Sequence, residues 1–410
     1  MDFRPLRRRD YRLLFAAQAV SIVGSMMTYA ALPYQMYRLT GSSLSVGVLG
    51  IVELLPLLAT AFVGGALADA LDRRRLGLVT DAALAAGSAT LAILATVGAA
   101  PWMLYAIAAC MSGVAALQRP ALESLVPRLV PREEMSAAAG LTMLRGSIAM
   151  IAGPAIGGVL IASVGLAATY LVDVASYACS LACVYAMRPT PAADTAERPS
   201  LAAVREGFRY AASRQELIGT YVVDFIAMVF GMPLALFPAL SDRFGGVSSL
   251  GLLYAAPAVG ALLASLASRW TRHVSKHGLG VLIAAAVWGV AIVAFGLSSR
   301  LWPALAWLAV AGGADGISGI FRMTMWNQTI PDTLRGRLAS IEMVSYSSGP
   351  LLGHFEAGAV AAAFGVTASV VSGGLLCVIG VIGCGLALPR FVGYDARRPA
   401  IDLESARGVV

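Results

Sequence analysis

The chain has 410 residues, of which 58% are hydrophobic and only 13% charged, and it carries a formal net charge of +7 at pH 7. Soluble domains hold about 25% charged residues, so no water-soluble fold can hide this much apolar surface. The basic residues sit in short runs between apolar stretches, not in the aromatic-basic segments of a nucleic-acid surface, which excludes nucleic acid as the partner and leaves the lipid bilayer.

Twelve apolar stretches follow in chain order, near 12–38, 44–69, 76–98, 101–127, 135–163, 166–187, 217–242, 249–270, 278–299, 302–329, 337–364 and 366–389. A hydrocarbon core of ~30 Å needs about 20 residues of helix at 1.5 Å rise, which each stretch supplies. Basic residues alternate between the loops. Arg4, Arg7, Arg8, Arg9 and Arg12 precede the first span, Arg73, Arg74 and Arg75 follow the second, Arg128 and Arg132 follow the fourth. The link after the sixth holds Arg188, Arg198, Arg205, Arg209 and Arg214, the next basic loop Arg269, Arg272 and Lys276, and the last Arg335 and Arg337, whereas the opposite loops show only Arg38, Arg243 and Arg300. The positive-inside rule puts both termini in the cytoplasm, as an even number of spans requires. The first stretch is too long for the apolar core of a cleavable signal peptide and lacks a convincing cleavage site. Cys110, Cys179, Cys183, Cys377 and Cys384 all fall inside spans and read as small packing residues, so neither a disulfide framework nor a metal site is expected.

The chain is expected to fold as an N-terminal six-helix bundle over 1–187, a linker over 188–216, a C-terminal six-helix bundle over 217–390 and a cytoplasmic tail over 391–410. In the linker, Pro189, Pro191 and Pro199 precede an amphipathic stretch from Leu201 to Arg214, which presents Val204, Phe208 and Ala211 on one face and should lie in the cytoplasmic headgroup layer. The two halves echo each other. Ser43-Leu44-Ser45-Val46-Gly47 opens the second span as Ser249-Leu250-Gly251-Leu252-Leu253 opens the eighth, and Pro131-Arg132-Glu133-Glu134 enters the fifth as Pro331-Asp332-Thr333-Leu334-Arg335 enters the eleventh. Such a pseudo-symmetric duplication is what transporter folds produce.

Two motifs stand out. Gly65-Ala66-Leu67-Ala68-Asp69-Ala70-Leu71-Asp72-Arg73-Arg74-Arg75 joins spans two and three, with small residues for close helix approach, a carboxylate at the helix end and arginines toward the inner headgroups. In span five, Gly140, then Gly153-Pro154-Ala155-Ile156-Gly157-Gly158, makes a smooth groove with a proline that permits a bend. The first motif resembles the loop signature of the major facilitator superfamily, with Ala70 and Asp72 departing from its usual basic residue and glycine. The second resembles that superfamily's antiporter signature, with Ala149 at one glycine position. Arg119-Pro120-Ala121-Leu122-Glu123 through Glu134, its echo at Pro331 to Arg337, and Leu252-Leu253-Tyr254-Ala255-Ala256 are similar to the subgroup of that superfamily that exports siderophores and drugs. The resemblance implies an all-α membrane fold of twelve transmembrane helices in two six-helix bundles, with Gly65, Asp69, Arg73 and Arg74 in gating and Gly140, Gly153, Pro154, Gly157 and Gly158 at a close helix interface between the halves.

Charges inside spans are the best pointers to a site, because each costs roughly 2.5–3.5 kcal/mol at the bilayer centre and usually faces a cavity or a partner. Glu53, Asp224, Asp315, His354 and Glu356 are the candidates for proton coupling, Glu53 foremost because no basic residue lies at i±4. Asp173 reads as a structural ion pair, and Asp81 and Glu342 lie nearer the cytoplasmic ends. Gln18, Tyr29, Tyr34, Gln35, Gln118, Arg145, Tyr221, Trp326, Asn327 and Gln328 supply a mixed polar and aromatic lining for a cargo cavity. No phosphate-binding loop, zinc spacing or nucleophile elbow is present in the sequence, so the chain reads as no enzyme and takes no cofactor beyond a proton gradient. These residues together describe a monomeric proton antiporter of the bacterial inner membrane that exports amphipathic small molecules such as siderophores or drugs. An importer of the same fold and a non-transporting sensor or assembly factor are the alternatives.

Overall fold

The computed structural model describes residues 2–70, 72–188 and 209–397, and within these it leaves out the side chains of 61–70, 332–333, 335–337 and 339–346. The twelve long helices are α1 (Arg9–Thr40), α2 (Ser43–Ala70), α3 (Arg73–Val97), α4 (Pro101–Glu123), α5 (Met135–Ser163), α6 (Gly165–Tyr185), α7 (Gln215–Phe230), α8 (Val247–Leu266), α9 (His277–Leu297), α10 (Leu301–Thr329), α11 (Asp332–Phe364) and α12 (Val366–Ala387). Among the described residues, eleven helical spans are long and apolar enough to cross a membrane, and α11 is the twelfth long helix. In hydrocarbon every backbone donor and acceptor must be paired within its own segment, which is why apolar stretches of this length become helices. The protein is an all-α, multi-pass membrane protein.

The chain divides into two compact units. Unit 1 comprises Met1–Arg198 and Phe237–Ala255, and unit 2 comprises Pro199–Leu236 and Ala256–Val410. The repeat seen in the sequence reappears in the backbone: Gly165 (φ 87°) closes the turn from α5 to α6, and Gly365 (φ 91°) closes the turn from α11 to α12. Both positions lie in the left-handed region, where a Cβ would be strained. Pro131 and Pro331 likewise stand in extended conformation just before the helical segments leading into α5 and α11.

One span differs from its expected form. The sequence reads 217–242 as continuous, but α7 ends at Phe230 and the chain resumes as a 3-10 turn, Leu234–Leu236, and a short helix, Phe237–Arg243. Pro233 lacks an N–H and disfavours helix at Met232, so the ladder stops there. The Gly231 carbonyl instead accepts the indole N–H of Trp288 on α9 at 3.0 Å.

The amphipathic stretch falls partly outside the described residues. Its described end, 209–213, is helical and packs on unit 2: Ala211 is buried with Leu217, Trp326, Ile330 and Leu338, and the Tyr210 hydroxyl donates to the Thr329 carbonyl at 2.8 Å. Beyond α12 the chain folds back on the same unit. Phe391 is fully buried against Gly219 and Gly278, and the Tyr394 hydroxyl donates to Gln328 Oε1 at 3.0 Å.

Candidate functional site

Unit 2 gathers three of its intramembrane charges, Asp224, Asp315 and Arg322, into one cluster. Asp224 lies nine residues beyond Gln215 on α7, and Asp315 and Arg322 lie seven apart on α10, two turns along one face. The Arg322 guanidinium is paired with Asp224 through Nη1 and with Asp315 through Nη2 at 3.5 Å. The Asp224 and Arg322 side chains are each 10% exposed while Asp315 is 41% exposed, so one carboxylate is locked in the pair and the other is held loosely. Arg322 Nε is buried with no hydrogen-bond partner among the described residues. Beside the cluster, Val223, Asp224, Ala227, Ala285, Trp288, Asp315 and Ser318 enclose a cavity of about 10 Å³, close to the space of a single water. Trp288 is the residue that holds the broken end of α7, so the cluster and the break share a wall.

Unit 1 is built differently. Asp173 on α6 is fully buried and accepts from Thr28 at 2.6 Å, Ser88 at 2.7 Å and Ser176 at 3.1 Å, which ties α6 to α1 and α3. Asp81 on α3, also fully buried, accepts from Ser180 at 2.6 Å and from the Gln118 amide, which ties α3 to α6 and α4. Among the described residues neither carboxylate has a cationic partner, so Asp173 is held by hydroxyls and not by the ion pair expected from the sequence. Arg145 on α5 donates through Nη1 to Gln18 Oε1 on α1 and lies 5.9 Å over the Phe15 ring. Glu53, half-buried on α2, has no side-chain hydrogen bond or ion pair among the described residues.

The other aromatic and polar residues are spread over several elements. Tyr29 meets Tyr254 edge-on at 5.8 Å, and Tyr254 meets Phe237 at 5.0 Å, all within unit 1. Tyr34 is buried, and Gln35 accepts the Tyr170 hydroxyl at 2.8 Å. In unit 2, Tyr221 stacks on Trp326 at 5.6 Å, Trp326 donates to Thr220 at 2.8 Å, and Gln328 binds the folded-back chain at Tyr394 and Ala396. Asn327 is exposed. His354 is buried on α11 with its Nε2 unpartnered among the described residues, and Glu356, half-buried, stands one residue beyond Phe355 on the same helix.

The two motifs resolve into contacts. Gly153 and Gly157 lie against α1, where a Cβ on Gly157 would stand 3.1 Å from Met27 Cα. A Cβ on Gly158 would stand 2.7 Å from the Gly251 backbone nitrogen, at the start of α8, while one on Gly140 would meet nothing within 4 Å. Pro154 is buried. In the loop motif, the surroundings of Gly65 and the side chain of Asp69 lie outside what the structure describes, as does the side chain of Glu342. Arg74 donates to the carbonyls of Val184 at 3.0 Å and Tyr185 at 2.5 Å, capping the end of α6, and Arg73 reaches the Ser124 carbonyl at 3.4 Å.

The sequence reading passed over Arg322. Its signal was present: a basic residue two helical turns from Asp315 on one apolar helix, a spacing that puts opposite charges on one face.

Comparison with known proteins agrees with this architecture. The family model described as "Transmembrane secretion effector" matches residues 1–401. The chain belongs to that family, within the major facilitator superfamily. It is 28% identical over 401 residues to the multidrug efflux pump Tap of Mycolicibacterium fortuitum, covering 93% of this chain and 96% of that one. It is 26% identical over 375 residues to the enterobactin exporter EntS of Escherichia coli, covering 91% and 90%. Among solved structures, a bacterial homologue of the human lysosomal transporter Spinster superposes with a TM-score of 0.73 at 15% identity, covering 95% of this chain and 97% of that chain. A bacterial homologue of the iron transporter ferroportin gives 0.70 at 15% identity, covering 92% and 99%. At that identity the structures speak for the fold alone. By its family and these relatives, the chain is a secondary-active transporter of small molecules in a bacterial membrane, not an enzyme.

Proposed function

We propose that this chain is a proton-coupled exporter of amphipathic small molecules such as drugs or siderophores, acting by alternating access as a monomer in the inner membrane, with both termini cytoplasmic. The sequence halves 1–187 and 217–390 serve as its two repeats. The observation that carries the reading is the cluster of two carboxylates around one guanidinium in unit 2. With all three groups ionised the cluster holds one negative charge in excess, and an unbalanced charge away from water is costly. One proton balances it. Asp315, the more accessible carboxylate and the one at 3.5 Å, is the group placed to accept that proton and later release it. Proton binding weakens its hold on Arg322, so the two charge states favour different conformations, and a gradient can then bias the cycle. Export is supported by the glycine-proline pattern of α5 and by the efflux activities for which Tap and EntS are named.

The test is the full chain in proteoliposomes with an entrapped pH indicator and an imposed proton gradient, challenged with a panel of amphipathic drugs and catechol siderophores. Export predicts that cargo and protons move in opposite directions and that Asp315→Asn abolishes the coupled flux. Protons and cargo moving together would establish an importer, and a complete lack of cargo-dependent flux would favour a sensor.

A further inference from the structure

Among the described residues Arg145, an intramembrane cation of unit 1, forms no ion pair, and this points to the chemistry of the cargo. Arg145 lies ten residues beyond Met135 on α5, about 15 Å along the helix, and Gln18 lies nine beyond Arg9 on α1. The guanidinium has five N–H donors and no acceptor. Nη1 is given to the neutral Gln18 amide, Cζ lies 5.9 Å over the Phe15 ring, and Nε is buried with no acceptor among the described residues. Glu123 is the carboxylate whose charge bears on Arg145, and it is already engaged by Arg119 at 3.0 Å. What remains is the Nε and Nη2 edge, the fork that matches two oxygens of one planar anion. The residue as a whole is half-buried and so partly accessible, while its Nε has no partner among the described residues.

We propose that Arg145 is the cargo-recognition residue for a carboxylate, with Gln18 fixing the guanidinium and Phe15 offering an aromatic wall to the apolar part of the same molecule. The inference rests on the transporter reading above and narrows its cargo to amphipathic carboxylates. Every group on the exporter side of the argument, Asp224, Asp315 and Arg322, belongs to unit 2, so the two can be tested apart.

The probe is naphthylacetate against its uncharged isostere naphthylacetamide, titrated into the full-length protein in lipid nanodiscs. Wild type should bind the anion about tenfold more tightly, since a bidentate charge-assisted pair is available only to it. Arg145→Gln should bring the ratio close to one, and Arg145→Lys, which keeps the charge without the fork, should retain only part of it. Arg300→Gln, an exposed arginine before α10, should leave it unchanged. A wild-type ratio near one, or a ratio preserved in Arg145→Gln, overturns the proposal. Where Arg145→Gln fails to fold, as judged by gel filtration, Arg145→Lys decides: an undiminished ratio overturns it. Coupled drug flux without anion preference would retain the exporter and remove this site, and anion preference without coupled flux would do the reverse.

Discussion

The two units treat buried charge in opposite ways. In unit 1 the carboxylates of Asp81 and Asp173 are held by four hydroxyls, of Thr28, Ser88, Ser176 and Ser180, and by the Gln118 amide, and each joins three helices. In unit 2 the carboxylates of Asp224 and Asp315 share a single arginine. A carboxylate surrounded by neutral donors of fixed geometry acts as a brace, because its partners come from several helices and none of them changes charge. Two carboxylates around one cation form a group whose net charge depends on a proton. On the proposed mechanism, structural and proton-coupling acids are distinguished by what surrounds them.

The strongest way to break this contrast is to remove the shared cation. Arg322→Leu leaves two carboxylates facing each other beside a cavity, and stripping one partner from a buried pair costs about 3–5 kcal/mol. The variant should melt well below wild type in detergent and transport nothing, and adding Asp224→Leu should restore part of the stability. A single variant that melts like wild type would show that the cluster is not held by charge.

Next in size is the loss of coupling. Asp315→Asn fixes the unit 2 cluster in its neutral form, so cargo should still bind while uphill transport under a proton gradient falls at least about tenfold, a change of ~1.4 kcal/mol in the driving step. Glu53→Gln should have the same effect if the Glu53 carboxylate takes part, and this comparison sharpens the contrast between the units. Uphill transport that fails only in Glu53→Gln would place coupling in unit 1, against the charge argument made for Asp315.

A pair of glycines on one helix gives a smaller, internally controlled effect. Gly158→Ala puts a Cβ 2.7 Å from a backbone nitrogen at Gly251, which cannot swing aside as a side chain can, and overpacking of this kind costs about 1–3 kcal/mol. Gly140→Ala meets open space in a helix interior and should be neutral or stabilising by up to ~1 kcal/mol. Gly157→Leu, against Met27 Cα, should abolish transport while the protein still inserts. Equal melting of Gly140→Ala and Gly158→Ala would remove the close approach as the reason for the glycine pattern.

Much of this was legible in the sequence because the bilayer imposes one strong rule, that a spanning segment be apolar and helical, and α3, α5 and α12 keep close to their expected limits. The break after Phe230 was written there as Gly231-Met232-Pro233, but hydropathy alone runs straight through three such residues. The partners of Asp173 were not legible, since Thr28 and Ser88 come from helices far away in the chain and a hydroxyl in an apolar span carries no long-range signal. Gln35 and Gln328, read as cavity lining, are engaged by Tyr170 and by the folded-back chain at Tyr394, contacts that only three dimensions reveal.

The smallest effect concerns a residue that departs from the family's loop signature. Asp72 stands where that signature has a glycine, and it is the N-cap of α3: its Oδ1 accepts from the backbone N–H of Arg74 at 2.9 Å and of Arg75 at 3.3 Å. The first turn of a helix leaves its N–H groups without partners, and a cap of this kind is worth about 0.5–2 kcal/mol. The Arg75 side chain, 3.9 Å away and 85% exposed, adds little, because water and salt screen so open a pair. The cap matters beyond its own turn, because Arg74 carries the guanidinium that closes the end of α6 at Val184 and Tyr185. Asp72→Ala should therefore lower stability by ~1 kcal/mol and speed hydrogen exchange at the first amides of α3, while Asp72→Asn, which keeps an accepting oxygen, should do neither. Exchange at those amides that is equally slow in Asp72→Ala would mean that the Arg74 anchor alone holds the start of the helix, and that the departure from glycine at this position has no part in the unit 1 brace.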